Sequence, residues 1–200
     1  MSHRVTLRLG FSWLLPDPWA QRTVSRFEES TGATVALTRT DDPLQALRQR
    51  SLDIALVRGE FDAPREARTL PLFDEPRTAV CSERCDLTRL GHLDWLDVQS
   101  WPLAVNTVSG TTGPWSWPVD QHPARIIETA DYDEWLETVA ANRGIGIVPE
   151  VAQRRTQHPA VRFVPLTDAP PSPVSLVHLP DAQRTLIRRF LDAAVQTTSE

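Results

Sequence analysis

The residues best equipped for chemistry lie in "NTVSGTT", residues 106–112, directly after the apolar run "PLAV". Asn106, Thr107, Ser109, Gly110 and Thr111 together offer an amide, hydroxyls and a flexible backbone, a set that suits a carboxylate or another polar acceptor. A polar surface turn would have the same composition; position at the end of a strand is what favours ligand contact. Arg58 in "ALVRG" can pair with an anion through its planar fork, or serve as a solvated or internally paired cation. Trp13, Trp115 and Trp117 offer flat faces on which an aromatic ligand would stack, or rings that cover the core.

Other chemically suggestive residues read as structural. Asp53 opens the strand "SLDIAL", and Asp131 with Glu134 fits a capping box at a helix start. The chain has no G-x-S-x-G, H-E-x-x-H or phosphate-loop sequence. Its five histidines, His3, His92, His122, His158 and His178, are scattered. We therefore expect no catalytic residue, no metal and no cofactor. Cys81 and Cys85, four apart in "AVCSERCDL", match neither a full zinc ligand set nor a redox C-x-x-C. They read as ordinary thiols of a reduced compartment, with a peroxide-sensing pair as the other reading.

Composition narrows the function class. Two hundred residues at 40% hydrophobic content can bury a real core, in one domain or two small lobes. No apolar run is long enough to span a membrane, and "MSHRVTLRLG" lacks the pattern of a signal peptide, so the expected location is the cytoplasm. Every basic residue is arginine, and the net charge is -5, which argues against a domain that grips a nucleic acid backbone alone.

The elements that must position these residues follow an α/β rhythm. Residues 4–10 read as a strand, and "LLPDPWAQRTVSRFEESTG" as a helix with Asp17 as N-cap, Pro18 at its first position and Gly32 as its stop. "ATVALTRT", "DDPLQALRQR" and "SLDIALVRG" continue as strand, helix, strand, a series that favours right-handed parallel pairing. "TLPLFDEPRTAVCSERCDL" reads as an extended segment leaving this lobe. A second series comprises a short helix "HLDWLDVQSW", strands "PLAVN" and "RIIETA", and a helix from Asp131 ended by Gly144. It finishes with a short strand in "GIGIV" and a helix started by Pro149. "DAPPSPVSLVHLP" carries the chain back, and "DAQRTLIRRFLDAAVQ" closes it as an amphipathic helix.

The stretch "ETADYDEWLETVAANRGIGIVPEVAQ" resembles the signature of LysR-type transcriptional regulators, a helix running into a Gly-apolar-Gly-apolar-apolar-Pro turn. "RVTLRLGFS", "LQALRQRSLDIALVRG", "ARTLPLFDEPRTAV" and "HLDWLDVQSWPLAVNTVSGTT" fall in the family's order. Two departures are Arg50, where the family usually has glycine, and "WLLPDPW", where it has small polar residues. The resemblance implies the fold of type 2 periplasmic binding proteins: two Rossmann-like lobes with mainly parallel sheets, crossed twice by the chain, with a ligand cleft between them. The lobes are expected at residues 1–81 with 167–200, and at 82–166.

In open α/β sheets, ligands bind beyond the carboxyl ends of the strands. Those ends give Ser12, Trp13 and Arg58 from the first lobe. The second lobe gives residues 106–112, 130–132, Val148 and Pro149; the contacts expected there are Asn106, Thr107, Ser109, Gly110, Thr111, Asp131 and Tyr132, with Gly146, where the backbone permits close approach, added to them. Ser12, the 106–112 loop and residues 130–132 also match positions that contact effectors in the family. The resemblance implies a small-molecule effector, carboxylated or aromatic, and a homodimer, tetrameric in the full-length regulator. It implies contact with DNA only through a winged helix-turn-helix, which this sequence does not show, and no membrane partner. A lyase or dehydratase on the same fold, and a transporter's solute-binding protein, are the rival readings.

Overall fold

The computed structural model describes residues 5–180 and 184–199. His3, the start of the expected first strand at Arg4 and the expected helix start at Asp181 lie outside the described residues. The chain divides into two compact units, Met1–Asp74 with Pro173–Glu200, and Glu75–Ser172.

The first unit opens with β1 (Thr6–Phe11), α1 (Trp19–Thr31), β2 (Thr34–Arg39), α2 (Pro43–Arg48) and β3 (Ile54–Arg58), in the expected alternation. β1 pairs in parallel with both β2 and β3. β4 (Arg68–Glu75) and the returning strand β11 (Ser172–His178) complete a sheet of order β2-β1-β3-β11-β4. This sheet is mixed, where the sequence suggested mainly parallel pairing. β11 enters beside the tip of β3, Val174 facing Arg58, and so runs antiparallel to it.

Strand parity decides which side chains fill the core. Leu7, Leu9, Ile54, Leu56, Val174 and Leu176 share one face with Phe27 of α1 and with Phe190 and Ala194 of α6 (Arg184–Thr198). Ala55 and Val177, on the opposite parity, meet Leu47 of α2 and Leu52. The sheet is thus covered on both sides. Phe27 and Phe190 meet edge to face with centroids 5.4 Å apart, each fully buried and worth about 1.5–3 kcal/mol of hydrophobic burial.

Helix ends depart from expectation in detail. α1 begins at Trp19 with Pro18 in the cap position and no side-chain cap; Ala20 and Arg22 instead donate to the carbonyls of Pro16 and Pro18. Gly32 does end α1, at φ 70°.

In the second unit, β5 (Arg77–Ser82) is followed by α3 (Leu87–Leu90), β6 (Leu93–Asp94) and a 3₁₀ turn at Trp95–Ser100. Then come β7 (Leu103–Asn106), β8 (Ile126–Thr129), α4 (Tyr132–Ala140), β9 (Gly146–Pro149), α5 (Val151–Arg155) and β10 (Val161–Thr167). One sheet has the order β6-β10-β5-β9, and β7 pairs in parallel with β8.

The lobe boundaries shift from 81/82 and 166/167 to 74/75 and 172/173. Pro76 lacks the amide a continuous strand would need, so the exit run splits into β4 and β5, and β5 pairs with β9 and β10 inside the second unit. β10, unrecognised in the sequence, holds residues 161–167 there as well. Two punctuation residues also change roles. Asn142, not Gly144, takes the left-handed conformation after α4, at φ 59°. Pro149 ends β9 opposite Arg77, and the next helix starts at Val151.

Candidate functional site

Ser12 and Trp13 follow β1, and Arg58 ends the neighbouring strand β3, so the pairing of these strands gathers the first unit's predicted residues at one sheet edge. The guanidinium carbon of Arg58 sits 5.5 Å from the centre of the Trp13 ring, within cation–π range. Asp53 is structural, as expected. Its carboxylate accepts from the Arg8 backbone amide at 2.7 Å and from the Arg8 guanidinium at 2.8 and 3.2 Å, which raises the arginine's pKa through that hydrogen bond.

In the second unit, the parallel register of β7 and β8 places Asn106 opposite Thr129, which brings the 106–112 loop beside the start of α4. The Thr107 amide and hydroxyl both donate to the Thr129 carbonyl, at 3.0 and 3.1 Å. Asn106 is buried and turned into its own loop. Its Oδ1 accepts from the Val108 and Ser109 amides, both at 3.0 Å, and its Nδ2 donates to Ser109 Oγ at 2.8 Å. The Gly110 amide closes the turn on the Asn106 carbonyl at 3.1 Å. The loop is shaped from within, and Asn106 acts as its positioning residue.

The start of α4 is capped in the predicted manner. The Asp131 carboxylate accepts from the Glu134 amide at 2.9 Å, and Glu134 reaches back to the Ala130 amide at 2.9 Å. Tyr132 shares a 2.6 Å hydrogen bond with Thr156 and stacks on Trp135; burial raises its pKa. Gly146 belongs to the packing of this region. A Cβ there would stand 1.9 Å from Trp135 Cζ2, and the space it leaves lets the indole reach the Ala104 carbonyl at 3.0 Å.

A residue that sequence reasoning missed adjoins the loop. Arg77 opens β5 and is only 9% exposed. It donates to the Pro170 carbonyl at 2.8 Å and, weakly, to the Thr111 carbonyl at 3.4 Å, and its guanidinium carbon lies 5.5 Å from the Trp95 ring centre. Trp95 in turn stacks on the buried Trp117 at 4.2 Å. Arg77 Nε, Thr112 Oγ1 and Trp117 Nε1 are buried without a hydrogen-bond partner among the described residues. Among the described residues no carboxylate offsets the charge, and burial lowers the arginine's pKa. The signal was strand parity: Arg77 shares its face with Ala79 and Cys81, which are core residues. Of the nearby tryptophans, Trp115 is the exposed one, folded over Gly113.

Cys81 and Cys85 are both buried thiols, and burial, with Cys85 adding to it, pushes Cys81 up to about 12. Among the described residues no group of three His, Cys, Asp or Glu side chains could hold a metal ion, and no helix is long and apolar enough to cross a membrane.

Solved structures share this fold at low identity. The BenM effector binding domain with its effector benzoate matches with a TM-score of 0.77 at 19% identity, covering 99% of this chain and 94% of that one. The effector binding domain of QuiR in complex with shikimate gives 0.79 at 15% identity, covering 98% of each chain. A reduced form of OxyR from N. meningitidis gives 0.75 at 16% identity, covering 97% of this chain and 96% of that one. Curated protein sequences give no match. The family model for the LysR substrate binding domain, however, matches residues 2–199, and the chain belongs to that family, the regulatory, effector-binding part of LysR-type regulators.

Proposed function

We propose that the effector sensed by this domain carries a carboxylate, received in the second unit near Arg77 and the 106–112 loop, with a flat apolar body suited to Trp115. The buried charge of Arg77 carries this reading. Leaving a cation out of water without an anion costs several kcal/mol, so a carboxylate that reaches it finds an uncompensated partner. Benzoate and shikimate, the molecules bound by BenM and QuiR, are both carboxylates, which supports the same class. In the first unit, the Trp13–Arg58 pair and Ser12 offer a second set of contacts of similar chemistry. Asn106, Thr107, Ser109, Gly110 and Thr111 shape or present the loop, and Asp131 and Tyr132 fix its neighbour.

Signalling then requires only that the effector bind one conformational state of the chain better than another. The change would pass through a homodimer, tetrameric in the full-length regulator, to DNA held by a winged helix-turn-helix and not by this domain. Such a regulator works in the cytoplasm, where its DNA is. Native mass spectrometry of protein purified from its own host tests the ligand class: a retained carboxylic acid supports it, and a retained neutral or cationic molecule overturns it. Light scattering that finds a monomer at every concentration would overturn the dimer.

A further inference from the structure

A cavity of about 300 Å³ lies in the first unit, lined in part by Arg68 of β4, His178 at the end of β11, and Arg184, Ile187, Arg188 and Leu191 of α6. That volume is at the lower end of small-molecule pockets. It stands at the opposite end of the sheet from Ser12, Trp13 and Arg58: His178 pairs with Ile54 at the start of β3, whereas Arg58 ends that strand. This cavity is therefore a different place from the strand-tip residues, and nothing in the proposed effector site depends on it.

The chemistry of the lining is asymmetric. Three arginines, all exposed, border the cavity, and among the described residues no acidic side chain does. None of the three makes an ion pair with a described residue; Arg188 leaves Asp192, four residues on, unpaired. Helical spacing puts Arg184, Arg188 and Leu191 on adjoining turns of α6, with Ile187 between them. Ile187 is 6% exposed and part of the core, and Leu191 packs against that core, so the cavity has an apolar floor beneath a rim of cations.

We infer that this cavity is a second ligand site, for a small monocarboxylate with an apolar body. Arginine forks match a carboxylate in geometry and charge. Ile187 and Leu191 can take up a hydrocarbon portion that a bare inorganic anion would leave unused. The asymmetry sets the ligand's direction: acid outward at the rim, hydrocarbon inward.

Octanoate is the probe, with octanol and inorganic phosphate as controls, titrated calorimetrically into the whole chain and followed by methyl NMR of the Ile187 and Leu191 signals. The site predicts that octanoate binds and shifts those methyls, that octanol and phosphate bind at least about tenfold more weakly, and that Arg68→Gln/Arg188→Gln loses at least about tenfold in octanoate affinity. Because both arginines are exposed, the double variant should keep the native melting temperature, which the same sample reports. An Arg77→Gln variant should show the same octanoate-induced shifts of the Ile187 and Leu191 methyls, separating this site from the effector site. Absence of octanoate binding, equal binding of octanol or phosphate, unshifted methyls, or full affinity in the arginine double variant would each overturn it.

Discussion

The guanidinium of Arg77 lies over the ring of Trp95, its carbon 5.5 Å from the ring centre, and Trp95 is itself stacked on Trp117. A cation held this way, with two carbonyls as acceptors and no acid among the described residues, is an expensive arrangement unless something anionic visits it. Replacing it should therefore separate stability from function. Arg77→Met is expected to leave the melting temperature of the ligand-free chain equal or higher while effector affinity falls. A large drop in melting temperature would mean that Arg77 is a structural cation.

Asn106 orders the loop through its side chain, so Asn106→Ala should expose the amides of Val108 and Ser109. Hydrogen exchange is expected to speed up at those two amides and at Gly110, with the strand amides of β7 unchanged. Uniform exchange across the unit would point instead to general destabilisation.

Gly146→Ala forces a methyl into the Trp135 indole, and its backbone neighbours in β9 cannot yield without breaking the pairing with β5. Overpacking of this kind costs about 1–3 kcal/mol. Urea unfolding should show that loss, with a change in the near-ultraviolet circular dichroism of the displaced tryptophan.

The Cys81 thiol, raised from 9.0 to about 12 by burial, stays protonated in the folded chain where the unfolded chain would ionise. Below pH 9 both states hold the proton and the group is neutral in its effect. Above it the unfolded state loses protons first, so the stability of the fold falls as pH rises from 9 towards 12. Cys81→Ala should flatten that part of the stability profile, and a thiol reagent at pH 8 should label neither cysteine before unfolding.

Much of the architecture was legible because local signals agreed with the fold. Asp131 and Glu134 cap α4, Gly32 ends α1, and the alternation of β1 and β3 sets two cores on two faces. What escaped depended on partners distant in sequence. Val161–Thr167 has no clean alternation, since β10 is a strand by virtue of pairing with β5 and β6. Pro76 looked like part of one extended run until its two sides joined different sheets. For the candidate site, the positions of the loop and the capping residues were readable from composition and spacing, while Arg77 was hidden as an ordinary charge at a strand start. Gly146 was readable as a point of close approach, but not what approaches it, because Trp135 lies eleven residues earlier in a helix.

The central claim is that this domain recognises its effector as an anion through Arg77. The most direct measurement is calorimetric titration of the acid retained from the native host, and of its own carboxamide, into wild type and Arg77→Gln. The account predicts that the acid binds wild type at least about tenfold more tightly than the amide, and that Arg77→Gln removes the difference. An amide that binds as well as the acid, or a preference that survives in Arg77→Gln, would contradict it.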